Sequence, residues 1–192
     1  MILPDQRPIL VALAGPNGAG KTTFYEAHLR PSGLRFVNAD ALAGALNLPP
    51  YTAAAAADAV RRELVNQRES FIFETVFSDP AGAKLSFLQD AVAVGYTVVL
   101  CYIGLSGWRE SVQRVAMRVS QGGHGVPIDK LVARYPRSLA NLRSAICELP
   151  HVLIFDNGDL RHPFRRAAVF EHGQLTFRGK PLPRWLSGLL KA

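Results

Sequence analysis

Short apolar runs rich in β-branched and aromatic residues alternate along the whole chain with longer stretches of helical periodicity. Five runs read as strands: 9–14, 35–38, 70–73, 97–103 and 152–155. Between them, helical spacing covers 21–29, 40–47, 53–67, 80–94, 106–121 and 128–149. Strands separated by helices cannot pair as hairpins, so this order predicts an α/β fold whose mostly parallel central sheet is flanked by helices in three layers. Near the end the rhythm changes. Ala168-Val169-Phe170 and Leu175-Thr176-Phe177 flank His172-Gly173, which predicts a small C-terminal β-hairpin. The region about 165–192 is accordingly read as hairpin plus tail, and 1–192 as a single domain.

Two helices carry further detail. In 106–121, Trp108, Val112, Val115 and Val119 are spaced to form one core-facing stripe, while Arg114 and Arg118 share another face. The following segment, Gln121 to Pro127, is too Gly-rich for a helix, and 106–137 reads as a lid. In the next helix Leu131, Tyr135, Leu139, Leu142 and Ile146 lie along one side and Arg134, Arg137 and Asn141 along another. Pro136 is expected to kink or restart that helix.

Composition changes this picture only modestly. Forty-eight per cent of the 192 residues are hydrophobic, which suits one globular core. No apolar run is long enough to span a bilayer, and the start of the chain lacks the features of a signal peptide, so a cytoplasmic protein is expected. Two cysteines, Cys101 and Cys147, give neither a disulfide framework nor zinc spacing. The net charge of +7 lies in the second half: residues 1–100 carry 8 basic against 9 acidic side chains, residues 101–192 carry 14 against 6. Such asymmetry suits a polyanionic ligand, either nucleotides or nucleic acid.

Candidate chemistry begins at the first strand. Gly15-Pro16-Asn17-Gly18-Ala19-Gly20-Lys21-Thr22, followed by Thr23, matches G-x-x-x-x-G-K-[ST] between a strand and a helix. There backbone N–H groups and the helix dipole converge on phosphate oxygens; Lys21 would reach the β- and γ-phosphates, and the Thr22 hydroxyl would complete a Mg²⁺ shell. The pattern predicts ATP and Mg²⁺ as cofactors. An ABC-type signature and an N-K-x-D guanine reader are both missing. For a kinase, Asp40 after the second strand is placed to take the acceptor's proton, with helix capping as its alternative. Glu74 and Thr75, ending the third strand, face the same edge, where Glu74 could hold substrate hydroxyls or Mg²⁺ or be a rim charge. Phe77-Ser78-Asp79-Pro80 reads as a specificity loop, and Asp156-Asn157 either borders adenine or caps a turn.

The ordered set GPNGAGKTTF, FVNAD, FIFET, GYTVVLCYIGL, RVAMRV, GGHGVP, RYPRSLANL and FDN resembles the zeta-toxin-like P-loop kinases, in particular their short single-domain bacterial branch. The resemblance runs over about residues 9–157 and implies a P-loop NTPase fold. Zeta toxins phosphorylate the 3′-hydroxyl of UDP-N-acetylglucosamine with ATP and Mg²⁺. The resemblance therefore implies that kind of small hydroxylated acceptor, Asp40 as catalytic base and Glu74 as a substrate-binding carboxylate. It also implies that Arg114 or Arg118 meets the transferring phosphoryl group, and that an antitoxin protein acts as partner. Where the family has a lid arginine this chain has His124, with Arg134 or Arg137 able to substitute; this departure bears on the acceptor's identity. Two other functions fit the loop: a nucleotide-dependent regulatory ATPase or switch, and a polynucleotide 5′-kinase. Against the latter, no basic strip interleaved with aromatics is present, so nucleic acid is not the expected partner.

Overall fold

The computed structural model describes residues 4–191. Its centre is a seven-stranded sheet in the order β2-β3-β1-β4-β5-β6-β7. The strands are β1 (Ile9–Ala14), β2 (Arg35–Val37), β3 (Phe71–Thr75), β4 (Thr97–Gly104), β5 (His151–Asp156), β6 (Arg165–Glu171) and β7 (Gln174–Arg178). The first five are parallel, and β6 and β7 add antiparallel at one edge. All six residues of β1 and all eight of β4 are buried, as strands covered on both faces must be.

Alternation along the strands divides the core in two. On one face Leu10, Ala12, Phe71, Phe73, Leu100 and Tyr102 pack under helices α3 (Pro50–Asn66), α4 (Ala83–Ala93), α6 (Ile128–Glu148) and α7 (Arg184–Lys191). On the other, Ile9, Val11, Leu13, Val99 and Cys101 pack against Phe24 and Leu29, beyond the phosphate-loop motif, and against Trp108 of α5 (Trp108–Ser120). A short helix α2 (Ala39–Leu46) follows β2.

Several local expectations are corrected. Only Lys21–Phe24 (α1) is α-helical; a π-helical turn continues it over Tyr25–Leu29, where a longer α-helix was expected. Helix α6 does not restart at Pro136 but continues through it. Its exposed position leaves room for the ring, and packing of Leu131, Tyr135, Leu142 and Ile146 holds both sides of the proline in one helix. The stripe on α5 is shorter than expected: Ser111 and Val115 are its buried residues, while Val119, in the last turn before the lid loop, is 45% exposed. The C-terminal hairpin forms as an extension of the main sheet, with His172 and Gly173 both at positive φ as a tight turn requires.

Candidate active site

The carboxyl ends of β1, β3 and β4 meet at one edge of the sheet, and the phosphate-loop motif spans it. Gly15 has φ 142°, and a Cβ there would collide with the Ile103 carbonyl, so only glycine lets the loop leave β1 beside β4. At Gly20, φ 84°, a Cβ would meet the Asn157 amide nitrogen at 2.9 Å. The loop is braced from two sides. Ser111 of α5 donates to the Asn17 carbonyl at 2.6 Å, and Asn157, 3% exposed, donates from Nδ2 to the Ala19 carbonyl at 2.9 Å. Asn157 thus ties the end of β5 to the loop, and its own N–H donates to the Gly104 carbonyl.

Lys21 lies buried beneath the loop. Its Nζ donates to the Pro16 carbonyl at 3.2 Å and stands 3.6 Å from Glu74 Oε1. The other Glu74 oxygen accepts from the Thr22 hydroxyl at 3.1 Å and from Asn38 Nδ2 at 2.9 Å. Glu74 is thus drawn into the loop's own chemistry and is not a solvated rim charge. A hydroxyl and a carboxylate side by side form an oxygen donor set of the kind Mg²⁺ takes when phosphates supply further ligands. Among the described residues no cluster of three or more His, Cys, Asp or Glu offers a self-sufficient metal cage.

Asn38 does double duty. While its amide nitrogen holds Glu74, its Oδ1 caps α2 by accepting from the N–H groups of Asp40 and Ala41 at 2.8 and 3.1 Å. The capping role considered for Asp40 therefore belongs to Asn38. Asp40 sits in the first turn of α2, exposed, in the strand-edge position expected of it. Asn38 was not singled out in the sequence, although an Asn directly before a helical pattern is a signal for a cap.

The two arginines of α5 diverge. Arg114 lies against the loop, where its Cβ would be 3.0 Å from a Cβ at Gly18. Its guanidinium is held by Glu110 at 2.5 Å and by the Asn157 carbonyl at 2.5 Å. Arg118, exposed, donates to the His124 carbonyl at 2.7 Å and so braces the lid loop. Sharing a helix face did not bring the two charges to one point. His124 is exposed, as is Thr23. The Thr75 hydroxyl accepts from the Phe77 N–H at 3.0 Å, so it shapes the loop after β3.

Helices α3 and α6 touch through one side-chain pair. Lys130 donates to the Tyr51 hydroxyl at 3.2 Å and lies 5.6 Å from the ring centre. That hydrogen bond and the Lys130 charge hold the Tyr51 phenol below its ordinary range, and Arg134 adds a smaller push in the same direction. Arg134 stands four residues, about one turn, beyond Lys130 on α6.

Residues 10–145 match the model of a family described as the AAA domain. The chain belongs to this AAA domain family. No curated protein sequence matches the chain. Among solved structures, the AAA chain resembles the AvrRxo1-ORF1:AvrRxo1-ORF2 complex with sulphate ions, at TM-score 0.72 and 18% identity over 96% of this chain and 63% of that one. The same complex with ATP gives TM-score 0.69 and 19% identity over 90% and 61%. A structure of the PezAT chromosomal toxin-antitoxin system of Streptococcus pneumoniae gives TM-score 0.58 and 14% identity over 78% and 69%. This AAA chain spans about 63% of the length of the first of these. The likenesses establish the P-loop NTPase α/β fold. No described helix is long and apolar enough to cross a membrane.

Proposed function

We propose that this protein is an ATP- and Mg²⁺-dependent phosphotransferase of the zeta-toxin type, acting on a hydroxyl of a small acceptor such as UDP-N-acetylglucosamine or a related nucleotide sugar. The observation that carries this reading is the junction of Lys21, Thr22 and Glu74 under a glycine-shaped loop, with Asp40 in the first turn of the helix that follows the neighbouring strand. Support also comes from fold neighbours, one solved with ATP and one belonging to a toxin-antitoxin system.

Each residue then has a physical task. Residues 15–23 wrap the triphosphate with backbone N–H groups, and Lys21 neutralises its β- and γ-oxygens. Thr22 and Glu74 would hold Mg²⁺, which supplies charge neutralisation at the phosphates when bound. Asp40 accepts the acceptor's hydroxyl proton as the oxygen attacks the γ-phosphorus. Arg114, already beside the loop, moves from Glu110 and the Asn157 carbonyl to the equatorial oxygens of the migrating group. Arg118 brings a guanidinium to the lid at His124, the position where zeta toxins carry a lid arginine. Thr75, His124 and Arg134 line the acceptor side. A second chain acting as antitoxin is the proposed partner, and the cytoplasm the proposed location.

Transfer of label from γ-labelled ATP to UDP-N-acetylglucosamine, or to a species in a small-metabolite extract, tests the reading. Asp40→Asn should lower transfer by about 10²–10⁴-fold while ADP affinity stays unchanged. Equal transfer by both proteins removes Asp40 from the base role. Hydrolysis that ignores every acceptor instead marks a regulatory ATPase.

A further inference from the structure

Between α3 and α4 lies a partly open cavity of about 60 Å³, lined by Asp58, Arg61, Arg62, Ala83, Lys84 and Phe87. No residue of the phosphate loop borders it, nor does Asp40 or Glu74. Its volume is several times what one water molecule needs and well below that of an ordinary organic-ligand pocket. The space suits a compact polar group.

The lining sets three cations against one carboxylate. Asp58 is shared: its two oxygens accept from Lys84 Nζ at 2.7 and 2.9 Å, and one of them also pairs with Arg61 Nη2. A single carboxylate has too few acceptor sites for a guanidinium and an ammonium together. Arg62, exposed, takes part in neither pair. Asp79 adds one further negative charge nearby, its Oδ2 accepting from the Lys84 backbone N–H at 3.3 Å, so the cations remain in excess. Nor is the excess fully solvated. Arg61 is 5% exposed, its guanidinium lying 4.8 Å from the centre of the Phe73 ring. Burial, then the Arg61 charge, push the Lys84 ammonium down to about 8 from 10.5; Asp79 pulls the other way and Arg62 adds a smaller push. Burial and the neighbouring Arg62 likewise push Arg61 down to about 10. Crowded, partly desolvated cations around an open space are stabilised by an anion that enters it.

We propose that this cavity is a second anion site, separate from the phosphate loop, which takes a tetrahedral oxyanion (a phosphate or sulphate group) between Arg61, Arg62 and Lys84. Guanidinium groups match the edge of such an ion with paired N–H donors, and the ammonium adds a point charge. The bound ion would tie α3 to α4. The assignment is independent of the kinase reading.

Sulphate titrated calorimetrically into the full chain tests it, with saturating ADP present to fill the phosphate loop. Wild type should bind sulphate under these conditions. Lys84→Gln should weaken binding by about 10–100-fold, from loss of a charged hydrogen bond. Arg62→Gln, at an exposed position, should weaken it by about 2–5-fold. Asp58→Asn removes the competing anion and should tighten it. That opposition is the discriminating result, because a merely structural ion pair gives no reason for its two halves to change sulphate affinity in opposite directions. Arg62→Gln breaks no pair and keeps the test decisive if the other variants lose stability. Sulphate keeps its charge from pH 7 to pH 9, so wild-type affinity should fall over that range as Lys84 loses its proton, and Lys84→Gln should show no such fall. Replacing sulphate by inorganic phosphate and by glycerol phosphate separates the sources: tighter binding of the ester marks a group carried on a larger molecule, tighter binding of phosphate a free ion. No sulphate binding beside ADP, or equal affinity in wild type and all three variants, overturns the assignment and leaves only an ion pair between two helices.

Discussion

Glu74 shows how one side chain can be read two ways until its neighbours are known. In sequence it is a carboxylate ending a strand; in the structure one oxygen faces Lys21 and the other accepts from Thr22 and Asn38. Glu74→Gln keeps the shape but removes the charge facing a lysine whose side chain is 6% exposed. Stability should drop by about 1–3 kcal/mol, the cost of a buried group left without its partner. The more specific expectation concerns Mg²⁺. ADP binding to wild type should tighten when Mg²⁺ is added, and Glu74→Gln should lose most of that gain. Calorimetry with and without Mg²⁺ reads this directly, and an undiminished gain would place the metal elsewhere. Cys101 offers a second test at this scale. Burial pushes its thiol up to about 12 from 9.0, whereas Cys147 is exposed. A thiol reagent at pH 8 should therefore modify one cysteine per native chain and two after unfolding. The sign for stability follows: between pH 9 and about 12 the folded chain keeps a proton that the unfolded chain releases. The stabilising contribution is full below pH 9 and shrinks as pH rises toward 12. The advantage of wild type over Cys101→Ala in urea unfolding should accordingly narrow from pH 8 to pH 11.

Helices and strands were legible where periodicity is set by burial on a sheet, and less so where a neighbour decides. The five parallel strands were found because residues such as Ile9–Ala14 and Thr97–Gly104 are buried on both faces, which leaves an unbroken apolar run. Val119 misled because a helical stripe shows which residues share a face and not how far along the helix that face is covered. Pro136 misled for the opposite reason: local chemistry allows a restart there, and tertiary packing holds α6 in one helix. The phosphate loop was legible residue by residue, since its glycines answer a backbone requirement. Its braces, Ser111 and Asn157, were not, since they come from 94 and 138 positions away. The same holds for α7, whose place depends on a glycine in β4. A Cβ on Gly104 would overlap the Trp185 ring, which also donates to Asp156 Oδ1 at 2.9 Å. Gly104→Ala should displace α7, costing about 1–3 kcal/mol as overpacking does. In a Trp108→Phe background, which leaves Trp185 as the one indole, the emission should shift to the red. Unchanged emission would mean that the helix docks without this contact.

At the scale of the molecule the open matter is whether the C-terminal hairpin is an appendage or part of the nucleotide-binding body, and we propose the latter. Strand β5 pairs with β4 on one side and β6 on the other, so removing β6 would turn a central strand into an edge. The segment also fills the core: Ala167, Ala168 and Leu186 are fully buried and Phe170 is 5% exposed. It reaches the site through one short path. Trp185 and Arg165 hold Asp156, and the next residue, Asn157, holds the Ala19 carbonyl of the phosphate loop. Loosening the hairpin should therefore loosen the loop. Urea unfolding followed by far-UV circular dichroism, tryptophan emission and ADP binding should give coincident transitions, as expected of one cooperative unit. A chain ending at residue 164 should neither unfold cooperatively nor bind ADP with wild-type affinity. If the shortened chain kept both properties, the sheet would be complete at β5, and Asn157 would hold the loop without help from the strands beyond it.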